Sequence, residues 1–577
     1  MFDVVLKNGL ICDGTGRPAY RADVGISGDK ISCIGEIERT AGRRVIEAEG
    51  KTVTPGFIDP HTHVDQSVLT APQMEPYLKQ GVTTVVTGNC GYGMAPQGEE
   101  VFYCSDLDQE FLSLAGGDTF QTLSLLFDRR KAEAALGKRY QIQLDWHSFG
   151  EFNQKCDRLP LGCNIAPLIG YSAVRTAVMG RDCLRKAAEK ELTALESAVK
   201  ICMEEGAFGI SSGRDPIYIP GPYASDEEMR RMLKIVALHD GIFSSHTFNC
   251  DQQGRPARIE GYAEMARQSR GTGVRMNISH VHVMNMAQDS GGAVRAAQET
   301  LDYFDRLIQS GANLTYDVIP SAACADYTLK SFGHYLKPLV LMAGTRKKLG
   351  ERFRQKEFRR EVHKLVEEGK LPILDASSDT CWLADFFILK HINQAYVGKY
   401  LVQEAERMNV SALDALMTIF AEDPDMAADL VAPDFTEATD LLCSQDIAMP
   451  CSDGSSYSKD TNLTGNAEIE AYPNSMNIGY IPRYLKRYGA GGFEKAVRQA
   501  SGFVAERFGI EKRGTVKEGN FADLVVMDPA GLHSFDEAED PLQDPEGILY
   551  VLVNGQIAVE GNRLSKKAAG RVLRKKR

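Results

Sequence analysis

The 577-residue sequence has no apolar run near the ~18 residues that span a bilayer. It also has no regular Cys-x-x-Cys framework. Its 13 cysteines are scattered and odd in number, which argues against a disulfide scaffold and for reduced, mostly buried thiols. A basic excess is missing too: 66 Lys+Arg against 78 Asp+Glu leave a formal charge of −12, the wrong sign for a general nucleic-acid binder. The start, Met1-Phe2-Asp3-Val4-Val5-Leu6-Lys7, shows no cationic region leading into an apolar stretch, so a cytoplasmic setting is expected. No Gly-x-Gly-x-x-Gly follows a strand, and Gly116-Gly117 and Gly491-Gly492 lack a phosphate-loop pattern. What is present, 43% apolar and 25% charged residues, is ordinary for a large globular protein. The length suits several domains or one large α/β barrel with attachments.

Both chain ends read as β structure. Phe2–Leu6 is a strand running into the turn pair Asn8-Gly9, and residues 22–35 form a hairpin around Gly28-Asp29. Near the other end, residues 522–528 and 549–559 are strand-like. Between about 55 and 505, short apolar runs (82–87, 164–170, 206–212, 241–246, 274–280, 313–318) alternate with stretches of helical periodicity such as 188–204 and 287–310. That alternation predicts a parallel sheet covered by helices, open or closed into a barrel. Residues 321–370 interrupt the rhythm as a helical insertion.

The sharpest chemical signal is Pro55-Gly56-Phe57-Ile58-Asp59-Pro60-His61-Thr62-His63. Residues two apart on an extended strand share a face, so His61 and His63 can offer two imidazoles to one ion. Cys90 lies where the apolar run 82–87 opens into a glycine-rich turn, and a thiolate there is a strong metal ligand. His246 and His280 each close a separate strand. Asp453 sits before Gly454 at the end of a late strand-like segment; singly, such a residue is most often a turn residue. Together these give four imidazoles, a thiolate and a carboxylate at the carboxyl ends of β segments, a set that suits Zn²⁺.

By these motifs the chain resembles the amidohydrolase superfamily and, within it, the D-aminoacylase (N-acyl-D-amino-acid deacylase) family. The likeness runs almost end to end, from Asp13–Gly16 through Val178-Met179-Gly180, residues 209–213 and Ser452-Asp453-Gly454 to residues 514–526 and Val553-Asn554-Gly555. It implies an (α/β)8 TIM-like barrel over residues 55–505, with a small β-sandwich domain from residues 1–54 plus 506–577. It further implies that His61 and His63 hold one metal position, that Cys90 lies between two, and that His246 and His280 hold the second, for one or two Zn²⁺ ions. Asp453 matches the catalytic aspartate. The implied reaction is hydrolysis of a C–N amide bond, most simply deacylation of an N-acyl (D-)amino acid.

The substrate side departs from the family pattern. His282 stands where the family has a lysine, Asp317-Val318-Ile319-Pro320-Ser321 lacks two family tyrosines, and Gly170-Tyr171 replaces a Gly-His pair, while Arg175 and Arg483 are retained. Carboxylate recognition wants a cation or several donors, so His282 in its protonated form, Arg175, Tyr218 and Arg483 are the candidate substrate contacts. The alternatives are a cyclic-amide hydrolase of the dihydroorotase and hydantoinase type, which a bridging lysine would favour, and a non-catalytic scaffold, which usually loses its metal ligands. The partner expected is a small-molecule amide, with no nucleic acid and no membrane; oligomeric state is not derivable. The run Lys566–Arg577, with seven cations in twelve residues, reads as a solvated basic end.

Overall fold

The computed structural model describes residues 1–576 except 105–123, 216–217, 219, 250–256, 284–289, 322–335, 337–338, 340–341, 369–370, 372–382, 384–385, 430–435, 460, 462–475 and 536–542. Both chain ends enter one nine-stranded sheet. The joint is Thr52–Pro55 lying antiparallel to Leu524–Met527, with Val53 opposite Val526. Leu6, Val24, Ile26, Val53, Val526 and Leu552 pack its buried face, as expected where β-branched and leucine side chains alternate with polar ones. The hairpin forms as expected, with Tyr20–Ser27 paired to Lys30–Gly35. The turn expected at Asn8-Gly9 does not. The strand runs on from Phe2 to Ile11, and Asn8 absorbs the irregularity as a bulge with φ 61°, its N–H donating to Asp23. An Asn-Gly pair suits left-handed backbone in a bulge as well as in a turn.

The middle of the chain builds parallel strands, numbered here in order: β1 Phe57–Asp59, β2 Val82–Thr87, β3 Asn164–Pro167 with its continuation Ile169–Gly170, β4 Gly209–Gly213, β5 Ile242–His246, β6 Arg275–Ile278, β7 Leu314–Val318 and β8 Ala448–Pro450. One parallel sheet has the order β3-β2-β1, and a second runs from Ile169–Gly170 through β4, β5, β6, β7 and β8. Leu168 N donates to Thr87 O and Phe208 N to Pro167 O, each at 2.9 Å, where the two sheets meet. An isolated parallel bridge pairs Thr62 with Gly454, just beyond β1 and β8. Helices Glu189–Glu204, Asp226–Leu238, Arg258–Ser269 and Ser290–Gln309 fall between β3 and β7. Val199, Met203, Leu233, Phe243, Met276 and Phe304 belong to their shared core.

Between β7 and β8 helices continue beyond the expected end at 370, to Thr436–Cys443, around an antiparallel pair of Phe387–Lys390 with Ala427–Asp429. The early helix Arg346–Phe353 needs a later one to pack on, and Phe353 meets Phe420 of Ala412–Glu422 at 5.8 Å between ring centroids. Much of 321–341, including His334, lies outside the described residues. The basic end is not simply solvated. Leu573 N donates to Ile165 O at 2.7 Å and Lys575 N to Gly206 O at 3.0 Å, Val572 bridges to Ile165 and is buried, and Arg574 pairs with Asp157 at 2.6 Å. Charge counting missed this because the anchoring bonds are made by backbone. Among the described residues no helix is long and apolar enough to cross a membrane.

Candidate active site

Polar side chains inside the parallel strands prepare the site. Ser212 bonds Ser245 at 2.9 Å, and Asn277 donates to Ser244 at 3.2 Å, so these buried groups satisfy one another. Above them, three non-glycine residues take left-handed backbone: Cys90 (φ 52°), His280 (φ 31°) and Asp453 (φ 54°). Such conformations persist where the surroundings over-determine them, and they cluster at functional sites. For Cys90 the surroundings are clear. Gly88 N donates to Asp65 at 3.0 Å and Gly91 N to Ser211 at 2.9 Å, pinning the turn on both sides of the thiol.

The side chains that follow from these backbones converge. Cys90 Sγ lies 3.3 Å from His61 Nε2, 3.5 Å from His280 Nε2 and 3.7 Å from His246 Nδ1. Asp453 Oδ1 is 3.2 Å from His61 Nε2 and 3.0 Å from His63 Nε2. His61, Cys90, His280 and Asp453 present ligand atoms all within 4.8 Å of one another. With zinc bonds of ~2.0–2.3 Å, the edges of a tetrahedron run about 3.3–3.8 Å, which the thiol–imidazole distances match. His246 Nδ1 and His280 Nε2, at 2.7 Å, stand closer than that and would separate slightly around an ion.

Electrostatics agrees with this geometry. Burial works against a charged Cys90, yet His61, then His246 and His280, hold its thiol well below the ordinary value. Burial likewise opposes charge on Asp453, and His280, His61 and His63 keep its carboxyl well below the usual range. Against burial, Asp317, Cys90 and Asp453 push His61 well up, Asp453 and Cys90 do the same for His63, and Asp215 and Cys90 raise His246 to about 9. A buried thiolate and carboxylate thus draw positive charge from the imidazoles, the charge a divalent cation would bring. His63 Nδ1 is buried with no hydrogen-bond partner among the described residues. The donor set fits zinc.

Two carboxylates that sequence reasoning did not single out for the site support these groups. Asp317, on β7, accepts from His280 N at 2.6 Å and lies 3.1 Å from His61 Nδ1. Asp215, just past β4, holds His246 Nε2 at 2.9 Å. Their one signal in the sequence is an acid at or just past the end of an apolar run. Tyr92 was also missed: its ring lies 5.3 Å from that of His63 and 5.4 Å from that of Tyr218.

Of the candidate substrate contacts, Tyr218 is at the site, its ring 4.2 Å from that of His246. His282 stacks near His280, with centroids 6.1 Å apart. Burial, then the charges of His280 and His246, hold it well below the ordinary value, so it is neutral and does not replace a lysine's charge. Arg483 donates to Ser321 Oγ, just past β7, at 3.3 Å and to Phe535 O at 3.1 Å. Arg175 is not available to a substrate. It is fully buried, and its five donors go to Glu228 and to the carbonyls of Cys183, Pro220 and Arg185.

Comparison with known proteins adds to this picture. A family profile described as the amidohydrolase family matches residues 44–270. The chain is 28% identical to a D-aminoacylase of Alcaligenes xylosoxydans xylosoxydans, over 99% of this chain and 97% of the relative. It is 26% identical to an N-acyl-D-glutamate deacylase of the same organism, over 99% and 96%. A solved D-aminoacylase with a binuclear metal centre superposes over the full length of both chains with a TM-score of 0.67 at 26% identity.

Proposed function

We propose that the chain is a D-aminoacylase-like member of the amidohydrolase superfamily, supported by the family profile and the end-to-end likeness to a D-aminoacylase, and that it hydrolyses the amide bond of an N-acyl amino acid, the D series first. His61, His63, Cys90, His246 and His280 hold one or two zinc ions, and Asp453 carries the proton. The observation that carries this reading is the Cys90 thiol within 3.3–3.7 Å of three imidazoles, with the Asp453 carboxylate against two of the four site histidines.

Bound zinc would supply a Lewis acid that polarises a carbonyl and lowers the pKa of a bound water towards neutrality. The chain's own groups do the rest. Asp453 accepts a proton from the attacking water as its oxygen bonds to the amide carbon. It returns that proton to the amine nitrogen as the C–N bond breaks, leaving a carboxylic acid and an amine, which exchange the remaining proton to become carboxylate and ammonium. His63, bonded to Asp453 Oδ1, orients the carboxylate. Asp317 and Asp215 fix the rings of His61 and His246, the part outer carboxylates play around zinc histidines. Tyr92 and Tyr218 wall the mouth, and Tyr218 and Arg483 are the proposed substrate contacts, with His282 a neutral neighbour.

The two parallel sheets are read as arcs of one eight-stranded barrel over residues 55–505, which the Thr62–Gly454 bridge supports. Residues 1–54 and 506–577 form the attached β-sandwich domain. A cytoplasmic setting fits thiols kept reduced.

A panel of paired D- and L-N-acyl amino acids, together with cyclic ureides, tests the proposal. Turnover of the linear D compounds in preference to the others supports it. Turnover of the ureides alone replaces it with a cyclic-amide hydrolase.

A further inference from the structure

The parallel strands have a second end, and it is not empty of chemistry. At the amino ends of β4 and β5, opposite the mouth that holds Cys90, a cavity of about 690 Å³ opens between the strands, the terminal sheet and the last residues of the chain. Small-molecule sites run from about 300 to 1,000 Å³. Met203, Phe208, Ile510 and Phe521 give it an apolar floor.

Its walls are cationic, with seven lysines and arginines against three acids. Four of the seven have a carboxylate: Arg571 meets Asp29 at 2.7 Å, Arg574 meets Asp157 at 2.6 Å, Lys575 meets Asp240 at 3.0 Å, and Arg513 pairs with Asp523. Lys30, Lys512 and Lys576 line the same cavity with no carboxylate in ion-pair reach among the described residues. Lys30 and Arg513 both meet the Phe521 ring, 2.9 and 4.0 Å from its centroid, so two like charges share one aromatic ring. Burial, together with Lys512 and Arg513, holds the Lys30 amine below the ordinary lysine range despite the opposing pull of Asp29. Cations that outnumber the acids beside them in a concave, partly apolar space are the electrostatic image of an anion.

We propose that this cavity binds a small organic anion, with Lys30, Lys512 and Lys576 meeting a phosphate or carboxylate head and Phe208 and Phe521 an apolar body. Lys576 arrives with the docked tail, so the backbone bonds from Leu573 and Lys575 complete the site. This assigns a use to a basic end on an otherwise acidic chain. It is independent of the amide chemistry, which lies at the other ends of the strands.

Calorimetric titration of the zinc-loaded full chain tests it, with 1-naphthyl phosphate and inorganic phosphate as probes. The expected result is that 1-naphthyl phosphate binds about tenfold more tightly than phosphate. The K512E/K576E variant should weaken it by about tenfold or more while amide hydrolysis stays at the wild-type rate. Both lysines are exposed, so the fold should hold; should it fail by circular dichroism, K576E alone answers the same question with a smaller loss. C90A should bind the probe as the wild type does. Unchanged affinity in the charge-reversed protein, or no binding at all, overturns the proposal. Loss in C90A with retention in K512E/K576E would place the probe at the zinc site and overturn it equally.

Discussion

A thiol among imidazoles can hold an ion only if its neighbours are held in turn, and Asp317 and Asp215 do the holding. Replacing either by Asn leaves an amide oxygen but removes the charge that fixes the histidine ring. Zinc affinity should fall about 10–100-fold for D317N and D215N, measured by competition with a chromophoric chelator. Asp453 answers a different test. D453N keeps the size of the side chain but loses the proton carrier, so kcat should drop about 10²–10⁴-fold while the bound zinc changes little. His61, His63, Cys90, His246 and His280 were legible in the sequence because ligand residue types fell at strand ends. Asp317 and Asp215 were not, since an acid at such a place is most often a turn residue or a cap. Arg175 was misread as a substrate contact because the family resemblance retains it, and nothing in one sequence announces Glu228 as its buried partner.

At the scale of elements, the site depends on two backbones passing with no room to spare. A Cβ on Gly170, at the end of β3, would lie 1.8 Å from Tyr92 O, and Tyr92 follows Cys90 by two positions. G170A should therefore push the Cys90 turn aside, costing about 1–3 kcal/mol of stability and weakening zinc binding, both read from denaturant melts with and without metal. S225A is the contrasting case. It removes the N-cap bond to Glu228 N, worth about 1 kcal/mol, and should leave metal affinity unchanged. Parallel strands buried on both faces show as apolar runs, which is why β2 to β7 could be read directly. The left-handed φ of Cys90 could not, because cysteine carries no preference for it and tertiary packing alone imposes it. The helices after 370 escaped for a related reason: they pack on Arg346–Phe353 across a long stretch of chain, and no local periodicity links them.

For the molecule as a whole, the terminal sheet and the parallel strands share a buried polar junction. Asp523 pairs with Arg513, accepts from Asn554 N at 2.7 Å and from Asn164 of β3 at 3.3 Å. Taking one partner out of such a pair strands the other charge, so D523A should cost about 3–5 kcal/mol and lower the unfolding temperature. The β structure of each chain end was readable from its segments and the meeting of the two was implied by the family resemblance, whereas the docking of the tail was not readable, since its bonds are backbone to backbone. The amide-hydrolase reading nonetheless rests on the ion that the strand ends are built to receive. The most direct test is metal content by mass spectrometry on purified wild type and C90A, paired with activity after chelation and zinc return. The account predicts one or two zinc ions per chain in the wild type, fewer in C90A, and amide hydrolysis that disappears with chelator and returns with zinc. A wild-type protein that hydrolyses amides without zinc, or a C90A variant with the same zinc content and rate, would contradict it.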